Sequence, residues 1–89
     1  MKNVEIGKVY RHFKGNYYFV ENIGKHSETG ENVVIYKHLY SSDDPDGSYI
    51  WVRPENMFIE KIDPNKKGNI TGQSYRFELV ENLSKDYTN

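Results

Sequence analysis

The sequence predicts an all-β domain: a small SH3-like barrel of about five strands, with a 3₁₀ turn before the last strand and an appended C-terminal segment. Three observations carry this reading. The 89 residues include 8 Tyr, 4 Phe and 1 Trp and no alanine, a composition that favours strands over helices. Short runs of strand formers are separated by Gly, Pro, Asn and Asp in turn-forming combinations. No 3.6-residue apolar period is sustained through residues 1–62.

Residues 8–13, Lys-Val-Tyr-Arg-His-Phe, read as the first strand. Lys14-Gly15-Asn16 is a tight turn in which Gly15 can take positive φ. Tyr17 to Asn22 returns as the second strand, closing a hairpin. Gly24 to Asn32 is a polar loop, and Val33 to Tyr40 is the third strand. Ser41 to Ser48 is a loop with Asp-Pro-Asp-Gly turn chemistry, and Tyr49 to Arg53 is the fourth strand. Pro54 to Met57 suits one turn of 3₁₀ helix with Pro at its first position, followed by a fifth strand from Phe58 to Ile62. The barrel therefore spans residues 1–62. Residues 63–72, beginning Asp63-Pro-Asn-Lys-Lys-Gly, are a linker. Residues 73–89 pack on the barrel as a strand or a short helix, with a frayed end.

Composition excludes several function classes. Lys and Arg total 12 against 13 Asp and Glu, so the net charge is −1, which counts against duplex nucleic acid as a partner. With no cysteine, disulfides, thiol nucleophiles and thiolate metal sites are absent. No apolar run approaches the roughly 18 residues of a membrane span. The start, Met1-Lys-Asn-Val-Glu5, lacks an apolar signal segment, so a cytoplasmic chain with no membrane association is expected. A multi-layer cofactor enzyme does not fit this length, and no cofactor is expected. Charge is uneven: residues 1–40 hold six Lys/Arg against four acids, and residues 41–89 hold six against nine.

Strand alternation sorts the side chains into two faces. Val9, Arg11, Phe13, Tyr18, Val20, Val33, Ile35, Leu39, Ile50 and Val52 form sets whose aliphatic members make a barrel core. The remaining sets gather Tyr10, His12, Lys14, Tyr17, Phe19, Val34, Tyr36, His38, Tyr40, Tyr49, Trp51 and Arg53. This second face mixes rings with cationic or titratable groups and carries no acid. Such a patch is expected to be a contact surface. The alternatives are that Tyr75, Phe77 and Leu79, spaced by two, fold back over it as a second core, that a homo-oligomer covers it, or that a one-residue register slip exchanges the faces.

Four ordered motifs carry a family resemblance. They are Gly7-Lys-Val-Tyr10-Arg-His12-Phe-Lys14-Gly15 with Tyr17; His26-Ser27-Glu28-Thr29; Val34-Ile-Tyr36 with Leu39-Tyr40; and Trp51-Val52-Arg53-Pro54 with Met57-Phe58. Arg76-Phe77 adds a C-terminal signature. On these residues the chain resembles a bacterial and phage domain of unknown function, family 1653, over residues 6–62 and Arg76-Phe77. The resemblance implies a small β-barrel and no assigned activity. Two departures from the pattern stand out: the acidic loop at Ser41–Ser48 and the spacer between Ile62 and Arg76 are both long. The motifs include polar residues that a barrel core does not need: His12, Lys14, His26, Glu28, Thr29 and Arg53.

The expected function is non-enzymatic binding of a small anionic, nucleotide-like ligand. The expected site is Tyr10, His12, Lys14, His26, Glu28, Thr29, Tyr36, Trp51 and Arg53. Lys14 and Arg53 would hold negative charge. Trp51 and Tyr36 would stack on a ring, His12 and His26 would donate hydrogen bonds, and Glu28 and Thr29 would order the loop or read a hydroxyl. The family's occurrence in phages adds sequestration of a nucleotide signal as a role. Purely structural roles compete: His26 and Glu28 ordering their loop, and Arg53 capping carbonyls or pairing with Glu28 or Glu31. The alternative function is a protein-interaction module that takes an extended peptide in an aromatic groove, with the acidic loop selecting basic partners. A second alternative is single-stranded nucleic acid stacked on exposed rings, which the net charge opposes. Catalysis is a weaker reading: His26-Ser27-Glu28-Thr29 are neighbours in sequence, whereas triad groups converge from separate elements, and His12 and His26 with Glu28 would serve as general acid and base in a phosphodiesterase-like site. The three histidines lack metal-ligand spacing, so no metal is expected.

Overall fold

The computed structural model describes residues 3–39 and 50–83. The acidic loop at Ser41–Ser48, the flanking Tyr40 and Tyr49, and the chain end from Ser84 lie outside the described residues. Among the described residues the main elements follow in the order β1 (Val9–His12), β2 (Tyr17–Lys25), β3 (Asn32–His38), β4 (Ile50–Pro54), α1 (Glu55–Phe58) and β5 (Phe77–Leu79). They form one antiparallel sheet in the order β4-β3-β2-β1-β5. Among the described residues no helix is long and apolar enough to cross a membrane.

The expected strand at Phe58–Ile62 does not form. Pro54 ends β4 and stands at the N-cap of α1, with φ −53° and ψ 138°. The turn that follows is α rather than 3₁₀, because the Ile59 N–H bonds the Glu55 carbonyl four residues back. This turn drives Phe58 into the core, fully buried. Of the expected strand only an isolated bridge, Lys61 to Tyr75, remains. The fifth strand comes instead from the C-terminal segment, where Phe77–Leu79 pairs with β1.

The sheet is strongly curled but open. Five flat strands spaced about 4.8 Å apart would set β4 and β5 roughly 19 Å from each other. Yet the Arg53 guanidinium of β4 lies 5.8 Å from the Phe77 ring of β5. The two edge strands thus approach through side chains, and no backbone ladder joins them.

The core lies on the face where a contact surface was expected. Tyr10 and Tyr36 are each 5% exposed and belong to a cluster with Val4, Val20, Val34, Phe58 and Phe77. The aliphatic sets assigned to the core are divided. Val9, Phe13 and Val33 are buried on the opposite side, while Ile50 and Val52 are exposed, Val52 at 64%. In β2 the face assignment exchanges, so that Tyr18 and Val20 stand with Tyr10 and Tyr36 across their pairs. A bulge at Glu21 then shifts the register between Val20 and Asn22, which turns Ile23 inward where simple alternation would place Asn22.

Residues 63–76 return the chain to the sheet. The Asn69 amide donates to the carbonyls of Asp63 and Gln73, and its oxygen accepts the N–H groups of Gly72 and Gln73. The buried Gln73 amide then donates to the Arg11 carbonyl of β1 at 2.9 Å. Ile70 reaches the β1–β2 turn, where Gly15 has φ +109°. A Cβ built there would sit 2.8 Å from Ile70 Cδ1. Gly15→Ala therefore carries an unfavourable φ and displaces the end of the exposed Ile70 side chain, the φ being the larger cost. It is expected to destabilise the domain by about 1–2 kcal/mol, measured as a lower urea midpoint.

Candidate functional site

The nine residues expected to form one site fall into three environments. His26, Glu28 and Thr29 lie at the β2–β3 tip and are exposed. His26 Nδ1 accepts the N–H groups of Glu28 and Thr29, and Thr29 Oγ1 accepts the N–H of Glu31. These contacts order the turn. With Tyr18 paired to His38 near the start of β2 and Lys25 to Asn32 at its end, the tip lies about 23 Å along the strand from the His12 end. The sheet therefore separates this loop from His12. Tyr10 is a core residue, and its hydroxyl accepts the Glu5 N–H at 2.9 Å.

Of the other five, His12, Tyr36 and Arg53 meet at Phe77, Lys14 follows His12 in the β1–β2 turn, and Trp51 stands two residues before Arg53 on β4. The Phe77 ring stacks on Phe58 at 4.0 Å and meets His12, Tyr18 and Tyr36 edge-on at 4.8, 5.4 and 5.5 Å. Arg53 lies over the same ring and donates from Nε to the Tyr36 hydroxyl at 3.3 Å. Among the described residues no carboxylate pairs with Arg53 or Lys14. Trp51, two residues from Arg53 on the same face of β4, is 48% exposed. Its indole N–H donates to His38 Nδ1 at 3.1 Å, which fixes the edge of the ring while leaving much of it open.

His12 sits where the cations converge. Its Nδ1 accepts the Lys14 backbone N–H at 3.1 Å, so the neutral ring carries its proton on Nε2. Both expected histidine donors thus use Nδ1 as an acceptor, and only Nε2 is left to donate. Partial burial, then the positive charges of Arg76, Arg53 and Lys14, pull the His12 pKa down to about 4. The imidazole is neutral at pH 7. Arg76 precedes β5, pairs with Glu60 at 3.2 Å and lies 5.6 Å from the Phe13 ring. Among the described residues its buried Nε has no hydrogen-bond partner.

Sequence reasoning missed Arg76 and Phe58 as parts of this region, and Asn69 and Gln73 as the groups that anchor β5. Arg76 was visible only as a signature, while Phe77 stood among the period-two residues whose folding back over the aromatic face was one of the expected alternatives, and it packs there with Tyr10 and Tyr36. The signal for its role was the period-two apolar pattern from Tyr75 to Leu79. Among the described residues no group of three or more His, Asp or Glu is placed to hold a metal.

Comparison with known proteins yields no match among curated proteins. The crystal structure of a DUF1653 protein from Bordetella bronchiseptica is similar, with a TM-score of 0.66 and 29% identity, covering 90% of this chain and 87% of that one. The family described as protein of unknown function (DUF1653) matches residues 8–79, a span running from the start of β1 to the end of β5. The chain belongs to the DUF1653 family.

Proposed function

We propose that the domain binds a small anionic, nucleotide-like ligand on the face formed by His12, Lys14, Trp51, Arg53 and Arg76, and acts by holding it rather than by transforming it. One observation carries this reading. Three cations bear on the neutral His12, the half-exposed Trp51 stands two residues from one of them, Arg53, on β4, and of the three only Arg76 has a carboxylate partner among the described residues. Like charges brought together without counterions are costly in the free protein, and an anion relieves that cost. Arg53 offers its terminal guanidinium nitrogens, since among the described residues only its Nε is engaged, by Tyr36. Those nitrogens suit bidentate contact with a phosphate or carboxylate. Trp51 offers a stacking face for a base, and His12 Nε2–H supplies a neutral donor. In this reading the curled sheet is an open variant of an SH3-like barrel whose approaching edges gather these groups.

A thermal-shift and calorimetric panel of AMP, cyclic and linear dinucleotides, ADP-ribose and inorganic phosphate tests the proposal. At least one nucleotide is expected to raise the melting temperature. Arg53→Ala and Trp51→Ala should each weaken its binding by about tenfold or more, while Arg53→Lys retains part of it. If no compound stabilises the wild type, or if both folded variants bind as the wild type does, the reading fails.

A further inference from the structure

Trp51 and Arg53 carry the ring and the charge of the proposed site, and both stand on an edge strand. β4 ends the sheet, and Trp51 is half-exposed between the exposed Ile50 and Val52. A long side chain in such a place has several rotamers open to it. Freezing one of them on binding costs affinity. What holds these two side chains in advance lies on the neighbouring strand β3.

Trp51 is opposite Tyr36, yet its indole N–H reaches past that pair to His38 Nδ1 at 3.1 Å. Arg53 is opposite Val34, and its Nε donates past that pair to the Tyr36 hydroxyl at 3.3 Å. Each β4 side chain thus bonds the β3 residue two positions beyond its own partner, a diagonal that long and aromatic side chains can span. The two bonds lean the same way. Both acceptors are buried, His38 at 6% exposure. Tyr36 is held edge-on by Tyr18, Phe58 and Phe77 at 5.5, 5.2 and 5.5 Å, and His38 stands opposite Tyr18 of β2. Acceptance at Nδ1 puts the proton of the neutral His38 ring on Nε2.

We propose that His38 and Tyr36 are positioning residues: without touching a ligand, they lock the Trp51 ring and the Arg53 guanidinium side by side before one arrives. This inference rests on the reading of the face as an anion- and ring-binding site, and deepens it by naming the ligand class. One small molecule bearing one planar ring and one anionic group, a nucleoside monophosphate, meets two groups already set two residues apart on a single strand. The bonds spend nothing that the ligand needs. The indole is engaged at its edge, so its π face stays available, and the Arg53 bond uses Nε rather than the terminal nitrogens. The cost of ordering two side chains is met during folding instead of on binding.

The probe is AMP, with the isotope-labelled full chain. Trp51 is the only tryptophan, so its indole N–H gives a single resonance. His38→Phe keeps a buried ring and removes the acceptor. The indole proton should then exchange with water about tenfold faster or more, and AMP should bind about fivefold more weakly. His38→Asn, whose side-chain oxygen takes the place of Nδ1, should restore both, which a general loosening of the core would not allow. Tyr36→Phe deletes one oxygen and leaves the core ring in place, so it reads the effect even where His38→Phe does not fold. It should weaken AMP by about threefold with the indole proton unchanged. Unchanged indole exchange in His38→Phe, or AMP affinity unchanged in either Phe variant, overturns the positioning roles while the binding reading stands. So does a wild type that binds a dinucleotide but not AMP. A wild type that binds no nucleotide overturns both.

Discussion

Phe77→Ala is expected to lower the unfolding free energy by about 4 kcal/mol, the largest effect of any single substitution considered for this domain. The ring is 3% exposed and touches four other aromatic side chains from three directions. It stacks flat on Phe58 from α1, meets Tyr18 and Tyr36 of β2 and β3 edge-on, and supports His12 of β1. Truncation removes the transfer energy of a phenyl ring and leaves a cavity whose walls are stiff rings, so collapse recovers little. A domain of this size has only about 5–10 kcal/mol in total. The melting temperature should fall by about 20 °C. Phe77→Leu, which refills most of the volume, should cost less than half as much. Equal effects of the two variants would show that stacking with Phe58 dominates; a loss below about 1 kcal/mol for Phe77→Ala would show that β5 is not an integral part of the core. Phe77→Ala also removes the surface beneath Arg53, so it should weaken anion binding even at temperatures where the variant stays folded.

How far the sequence discloses this arrangement can be judged element by element. The positions of β1, β3 and β4 follow from runs of strand formers between turn residues, and Gly15 follows from the need for positive φ in a tight hairpin. The all-β class follows from ring and β-branched content. The identity of the inward face does not. Val9/Tyr10 and Val33/Val34 present an apolar side chain to both faces, so alternation cannot say which face the core occupies. Phe58 and Phe77 decide it, by descending on the Tyr10–Tyr36 side from outside the sheet's first four strands. The bulge at Glu21 is equally invisible in pattern, since Asn22 and Ile23 fit either parity. The β5 pairing is a long-range event set by Asn69 and Gln73, whose polar side chains carry no periodicity. The site shows the same division. His12, Arg53 and Trp51 were placed on one face by alternation alone. His26, Glu28 and Thr29 were grouped with them because they share polar motif character, and the length of β2 keeps them apart.

Acidification is expected to destabilise the domain through His12, independently of any ligand. In the unfolded chain this imidazole titrates near its ordinary value of 6.5; in the folded chain it resists protonation until about 4. Between those two values the unfolded state binds the extra proton and the folded state does not, so each step down in pH favours unfolding. The loss begins as pH falls below about 6.5, grows through pH 5 and levels off below about 4; above 6.5 His12 contributes no pH dependence. The full shift sets an upper limit, and screening at a partly exposed side chain reduces the expected loss to about 2 kcal/mol. Carboxylates protonate over part of the same range, so the comparison must be differential. Urea unfolding of wild type and His12→Gln at pH 7 and pH 4 isolates the imidazole, and the variant should lose about 2 kcal/mol less on acidification. Identical losses would mean that His12 titrates normally and that the three cations do not bear on it. The same electrostatics link the proton to the proposed ligand. Burial is the larger cause of the low His12 pKa, but an anion held by Arg53 and Lys14 cancels part of the cationic field that adds to it, so the pKa is expected to rise on binding. At pH 5.5 the complex should therefore take up a fraction of a proton. Calorimetry in two buffers of different ionisation enthalpy reads that uptake directly, and His12→Gln should abolish it while leaving the Arg53 contact in place.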